Sequence, residues 1–247
     1  MAINPIIRFD DKAASYTKYR PTYPILAINK ILEGLVPEKI LAVDIGAGTG
    51  ISTRLLAERD VKTIAIEPNA KMRDAAEAHF LIEFQDGTSE NTTLPSNSVD
   101  LITSFQAFHW FEPKSSLQEF HRILKPCGRL ALVWNNLDVN DEFSMSYKRI
   151  VRSVSDNSTP ENFNDSAKVL QGSDLFTNFS VEDFLHKRQM DFEILIGLVK
   201  SISWFPQDVT VQRKIFLQLE KLFQNFCDED GFVYLAYCTS VNLAEKK

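Results

Sequence analysis

Cysteine is scarce in this 247-residue chain: Cys127, Cys227 and Cys238 are an odd number without metal-type spacing. That argues against a disulfide framework or a zinc site, leaving the three thiols as small buried hydrophobes. Long apolar runs are missing as well. No stretch approaches the length of a membrane span, and the N-terminal MAINPIIRFDDKAASYTKY holds no continuous apolar segment of signal-peptide length. A cytoplasmic protein that does not engage a membrane is expected. Positive charge is not in excess either: 27 Lys and Arg against 33 Asp and Glu give a net charge of −6. The basic residues are scattered, which argues against a nucleic-acid partner. Internal repeats and low-complexity segments are also lacking. What remains, 44% hydrophobic and 24% charged, is enough to bury a full core, and an α/β sheet of this size forms one domain.

Glycine is sparse too, nine residues in all, yet three of them stand at alternating positions in Leu41–Gly50, LAVDIGAGTG. The apolar run Ile40 to Val43 suits a strand buried on both faces, and Ile51–Arg59 continues with helix-forming residues. Glycines at 46, 48 and 50 let the intervening turn be tight and its backbone approach a ligand. A dinucleotide loop is spaced G-x-G-x-x-G and receives a pyrophosphate at the helix N-terminus. Here the spacing is G-x-G-x-G with Asp44 just before it, a poor neighbour for an anion. A phosphate-free adenosine with a cationic tail suits it better, and S-adenosylmethionine fits that description. Lys62–Glu67 (KTIAIE) reads as a second strand ending in an acid, and Glu67 lies 21 residues after the first glycine. That is close to the spacing expected for a ribose-binding carboxylate.

These residues resemble the class I S-adenosylmethionine-dependent methyltransferases. Asp44-Ile45-Gly46-Ala47-Gly48-Thr49-Gly50 is similar to their first motif, and Glu67 to the acid ending their second strand. Gln85-Asp86-Gly87-Thr88, with Leu94-Pro95 and Ser98–Ile102, resembles their adenine-binding loop and fourth strand. Ala107–Phe111 and Leu124–Leu130 are similar to the small-molecule branch that includes trans-aconitate methyltransferases. The resemblance implies that Asp44, Gly46, Ala47, Gly48, Gly50, Glu67, Pro68, Asp86, Gly87 and Gln106 surround the cofactor, with Asp86 accepting from the adenine amino group. It implies S-adenosyl-L-homocysteine as product and a small-molecule acceptor, with a carboxylate-bearing metabolite the first expectation. It is strong over residues 10–135, weaker from Phe179 to Leu243, and absent from Asn136 to Asn178.

A coarse pass predicts helices over Pro24–Leu35, Asn69–Phe80 and Lys114–Leu124, and strands over Leu81–Gln85, Val99–Ser104 and Arg129–Trp134. Alternation of this kind makes a parallel, doubly wound Rossmann-like sheet with ligands at the carboxyl ends of its strands. Further on, Phe179–Met190 reads as a strand, Phe192–Ile202 and Val209–Phe226 as helices, and Phe232–Ser240 as a last strand. The resemblance implies seven strands with the last antiparallel. One domain is therefore expected over 1–247: an arm or lid to residue 24, a cofactor core over 25–135, an acceptor cap inserted over the active site at 136–178, and C-terminal strands and helices from 179. The Asn-, Ser- and Asp-rich 136–178 segment equally suits a surface loop.

His109 is the candidate catalytic residue. If the acceptor is a hydroxyl or ammonium, His109 is the best-placed general base; a carboxylate needs none. The alternative is that His109 only hydrogen-bonds cofactor or backbone. Trp110 and Phe111 face the sulfonium or acceptor, or else pack in the core. The run Tyr16 to Pro24 resembles the arm that precedes the first strand in this branch, bringing Tyr16 and Arg20 to the cofactor. Arg20 then pairs with a carboxylate of cofactor or acceptor, or sits solvated on an arm packed against the core. Ser201–Trp204 resembles a pocket-side segment that places Trp204 near the acceptor, or simply ends a helix before Pro206. Three other functions compete: a methyltransferase acting on RNA or protein, a non-catalytic cofactor-binding module, and a dehydrogenase, against which the glycine spacing speaks. Oligomeric state is not legible.

Overall fold

The computed structural model of the chain describes residues 18–155 and 167–247, so Tyr16, most of the expected arm and residues 156–166 of the expected cap lie outside the described residues. Seven strands form one sheet in the order β3-β2-β1-β4-β5-β7-β6. They are β1 (Leu41–Ile45), β2 (Lys62–Ile66), β3 (Ile82–Gln85), β4 (Val99–Phe105), β5 (Leu124–Leu137), β6 (Phe176–Met190) and β7 (Val233–Lys246). The first five run parallel, and β7 inserts antiparallel between β5 and β6. Strand order reverses between β1 and β4, which opens a crevice at their carboxyl ends.

The apolar strands alternate between two cores because successive side chains leave a strand on opposite faces. Val43, Ile45, Ile102 and Leu132 face Phe120 of α4 (Pro113–Ile123), whereas Ala42, Leu101 and Val133 face Ile28 and Ile31 of α1 (Ile25–Leu32) and Leu56 of α2 (Ile51–Ala57). Burial on both faces explains why these strands read as continuous apolar runs. A third core belongs to the C-terminal helices. Phe143 and Tyr147 of α5 (Glu142–Arg152), with Leu195 and Leu198 of a helix over Phe192–Lys200 and Ile215 and Leu219 of one over Val209–Phe226, pack on Val233 and Leu235 of β7.

Four expectations change. The helix predicted over Asn69–Phe80 shrinks to α3 (Ala70–Asp74). Asn69 caps it by accepting the Met72 N–H, but Met72 is its one buried side chain and Phe80 is 89% exposed. The Ala-rich stretch has helix propensity without an apolar face to bury, and packing supplies most of a short helix's stability. β5 begins directly after α4, with Pro126-Cys127-Gly128 bulged out where the register to β4 shifts. β7 extends to Lys246, beyond the expected Ser240, because β5 and β6 both pair with it along that length. The cysteines are also less buried than expected: Cys127 is exposed and Cys227 and Cys238 are half-buried. With α6 (Lys168–Gln171), the two C-terminal helices become α7 (Phe192–Lys200) and α8 (Val209–Phe226).

Candidate functional site

A cavity of about 900 Å³ lies at the carboxyl ends of β1, β2, β4 and β5. Gly46, Ala47, Gly48, Glu67, Pro68, Gly87, Gln106, His109, Trp110, Phe111 and Trp204 all contribute to its wall, as does Arg20. Asp44, Gly50 and Asp86 do not.

The glycine turn is shaped by packing and by backbone angle. Gly46 has φ +73°, and a Cβ there would stand 2.5 Å from the Ala107 Cβ and 3.1 Å from the Phe111 ring. Gly48 has φ +59° with only the Met72 methyl nearby, at 3.4 Å, so its backbone is left open to the cavity. Gly50 instead lies against the Phe84 ring, outside the cavity. Asp44 stands behind the turn, fully buried. One carboxylate oxygen accepts from Ser52 Oγ and Thr53 Oγ1, both at 2.7 Å, and the other from Thr103 Oγ1 at 2.8 Å. Burial pushes its carboxyl up and the three hydroxyls pull it back. Asp44 therefore ties β1, α2 and β4 together behind the cavity wall.

Glu67 ends β2 at the cavity. One carboxylate oxygen accepts the Gly48 N–H and the other the Asn69 N–H, each at 2.9 Å. Each oxygen has a second lone pair, so the fixed carboxylate can accept two further donors side by side. Burial raises its pKa, opposed by these two N–H bonds. Asp86 behaves differently: its side chain is 75% exposed and pairs with Arg73 at 3.1 Å, while Gly87 and Thr88 beyond it line the cavity.

Gln106 follows β4 with φ +52°, and its side-chain amide donates to the Asn135 carbonyl at 2.7 Å. Asn135 in turn accepts from Thr239 Oγ1 and donates to the Thr22 carbonyl, joining β4, β5, β7 and the N-terminal arm. Next comes the 3-10 turn Phe108–Trp110, anchored by the fully buried Phe108. It sets His109 in the wall with its ring 4.8 Å from Trp110. His109 Nδ1 accepts the indole N–H of Trp134 at 3.3 Å. Burial drives the imidazole pKa down to about 3.

The opposite wall comes from other elements. α5 contributes Tyr147, Lys148, Val151 and Arg152, and β6 contributes Asp183 and Leu185. Burial pushes the Tyr147 phenol up, so it stays a neutral donor. The arm is docked rather than solvated: the Tyr19 ring lies on the bare Cα of Gly197, Arg188 donates to the Tyr19 carbonyl at 2.6 Å, and Arg20 reaches the Ser201 carbonyl at 3.5 Å. Sequence reasoning missed Trp134, Asn135, Tyr147, Lys148 and Arg152. The i, i+4 spacing of Phe143, Tyr147 and Val151 in EFSMSYKRIVR is the signal that could have found the α5 residues.

Residues 43–132 match the family model described as a methyltransferase domain. An uncharacterized methyltransferase of Mycobacterium tuberculosis is 36% identical over 137 residues, 53% of this chain and 54% of that one. This chain thus spans about half the length of the first curated relatives it matches. An uncharacterized methyltransferase of Schizosaccharomyces pombe is 28% identical over 224 residues, 87% of each chain. Among solved structures, a provisionally assigned type II methyltransferase from Anaeromyxobacter dehalogenans aligns with TM-score 0.71 and 20% identity, over 91% of this chain and 97% of that one. Phosphoethanolamine N-methyltransferase 2 of Haemonchus contortus, in complex with phosphomonomethylethanolamine and S-adenosylhomocysteine, aligns with TM-score 0.60 and 14% identity, over 100% of this chain and 60% of that one. At 20% and 14% identity, these two structural likenesses show a shared fold.

Proposed function

We propose that this chain is an S-adenosylmethionine-dependent methyltransferase acting on a small molecule, with a carboxylate-bearing metabolite as acceptor. The carrying observation is the joining of the glycine turn to Glu67: the open backbone at Gly48 donates to the carboxylate that ends the next strand, and both line one cavity. S-adenosylmethionine fits this wall. Glu67 offers two paired acceptor sites for ribose hydroxyls, Gly46 and Gly48 offer a side-chain-free approach, and Gly87 and Thr88 bound the adenine end. When bound, it supplies a sulfonium-activated methyl group, whose C–S electron pair returns to sulfur as the acceptor's lone pair forms the new bond.

The protein's share is alignment and the exclusion of water. Trp110 and Phe111 bring aromatic faces to the cavity, suited to a cation. We assign α5 and the residues leading into it to the acceptor cap, and Trp204 and Arg20 to the same end of the cavity. Asp44 acts on the cofactor only through the turn it holds. Calorimetric titration with S-adenosylhomocysteine and, separately, NAD tests the assignment. Binding of the first alone is expected; binding of NAD alone would overturn it.

A further inference from the structure

Trp134 of β5 is fully buried in the core beneath the cavity, and its indole has a single hydrogen-bonding atom, an N–H that can only donate. That N–H is spent on Nδ1 of His109. Nδ1 must then present a lone pair and carry no proton, and a neutral imidazole with a bare Nδ1 holds its proton on Nε2. Nδ1 is thereby committed to accepting from the indole, and the proton stays on Nε2. Close packing around Trp134 keeps the indole from turning away.

We propose that Trp134 is a positioning residue that holds His109 as the neutral Nε2–H tautomer in the cavity wall, so that His109 removes no proton from the methyl acceptor. This rests on the methyltransferase reading and specifies its acceptor: the atom that takes the methyl arrives with no proton to lose. A carboxylate oxygen meets that condition near neutral pH, whereas an alcohol or ammonium does not. No proton moves in the step, and the carboxylate's charge is consumed as the ester forms. A neutral ring suits such a reaction, because an imidazolium in the wall would stabilise the charged ground state more than the less charged transition state. Burial of the ring, which depresses its basicity, keeps it neutral. Of the carboxylates in the wall, Glu67 is given to the ribose in this reading, and Glu90, Asp138 and Asp183 each accept a hydrogen bond from within the protein.

Nitrogen-detected NMR of the full chain carrying labelled histidine tests the proposal without turnover. The sequence has four histidines, and His109→Gln identifies the signals of interest. At pH 7 the expected result is a single Nε2–H tautomer for His109, with Trp134→Phe converting it to a tautomer mixture. A Nδ1–H tautomer, or a mixture in the unaltered protein, overturns the proposal. For the acceptor class, the protein is incubated with methyl-labelled S-adenosylmethionine and a protein-free metabolite extract. Label released by alkali, as from a methyl ester, is expected; label stable to alkali overturns the acceptor class. No incorporation sinks the methyltransferase reading instead, while the nitrogen spectrum still decides the tautomer.

Discussion

The two ends of the cavity are built by different means. The end proposed for the cofactor is assembled from strand ends and the turns that follow them, all between Ile45 and Phe111, and its key groups are fixed by bonds spanning adjacent strands. The end proposed for the acceptor draws on the arm near residue 20, α5, β6 and the turn after α7, which meet only in the finished fold. Local spacing therefore announces the first and is nearly silent about the second. A wall made of backbone and one carboxylate suits an invariant ligand; one made of side chains from distant elements can be altered without disturbing the sheet.

The sharpest way to break this contrast is Gly46→Val. Its side chain would enter the space of Ala107 at a positive φ, at a cost of about 2 kcal/mol or more. S-adenosylhomocysteine binding should disappear, and retained affinity by calorimetry would remove the turn from the site. Glu67→Gln comes next. Losing one charged hydrogen-bond pairing costs about 2 kcal/mol, roughly a 30-fold loss of affinity. Only the carboxylate accepts two hydroxyls, so the unaltered protein should bind more weakly as pH falls through the raised Glu67 pKa. Because that pKa is raised, the loss sets in at higher pH than for a solvated glutamate, and titrations of Glu67→Gln should not show it.

Gly197→Ala probes the other end. Within a helix this change ordinarily stabilises by about 0.5–1 kcal/mol, but here the new methyl meets the Tyr19 ring. Lower thermal stability and faster tryptic cleavage after Lys18, with cofactor affinity unchanged, are expected; a gain in stability would show that the arm is not seated there. The smallest effect is assigned to Asp86→Ala. An exposed ion pair contributes about 0–1 kcal/mol, so affinity should fall by less than about fivefold, and a larger loss by calorimetry would return Asp86 to the adenine contact.

Much of the sheet was legible because its strands are buried on both faces and read as short apolar runs between turn residues. Asn69–Phe80 misled because alanine favours helix wherever it stands, and only burial decides whether a helix persists. Glu67 was legible through its distance from Gly46. The Trp134 partner of His109 was not, since 25 residues separate the two and neither forms a local pattern with the other. Asp44 stands behind the cavity wall rather than in it; its three hydroxyl partners include Thr103, 59 residues away, and no spacing rule announces such a triad.

The placement of β7 has a consequence in time. Since β7 lies between β5 and β6, β6 has no neighbour in the sheet until residues 233–246 have threaded into place. Contacts that must wait for chain so far downstream form late. During synthesis the wall that holds Gly48 and Glu67 can mature while the opposite wall still lacks its supporting strand, so the two sides of the cavity are completed in sequence.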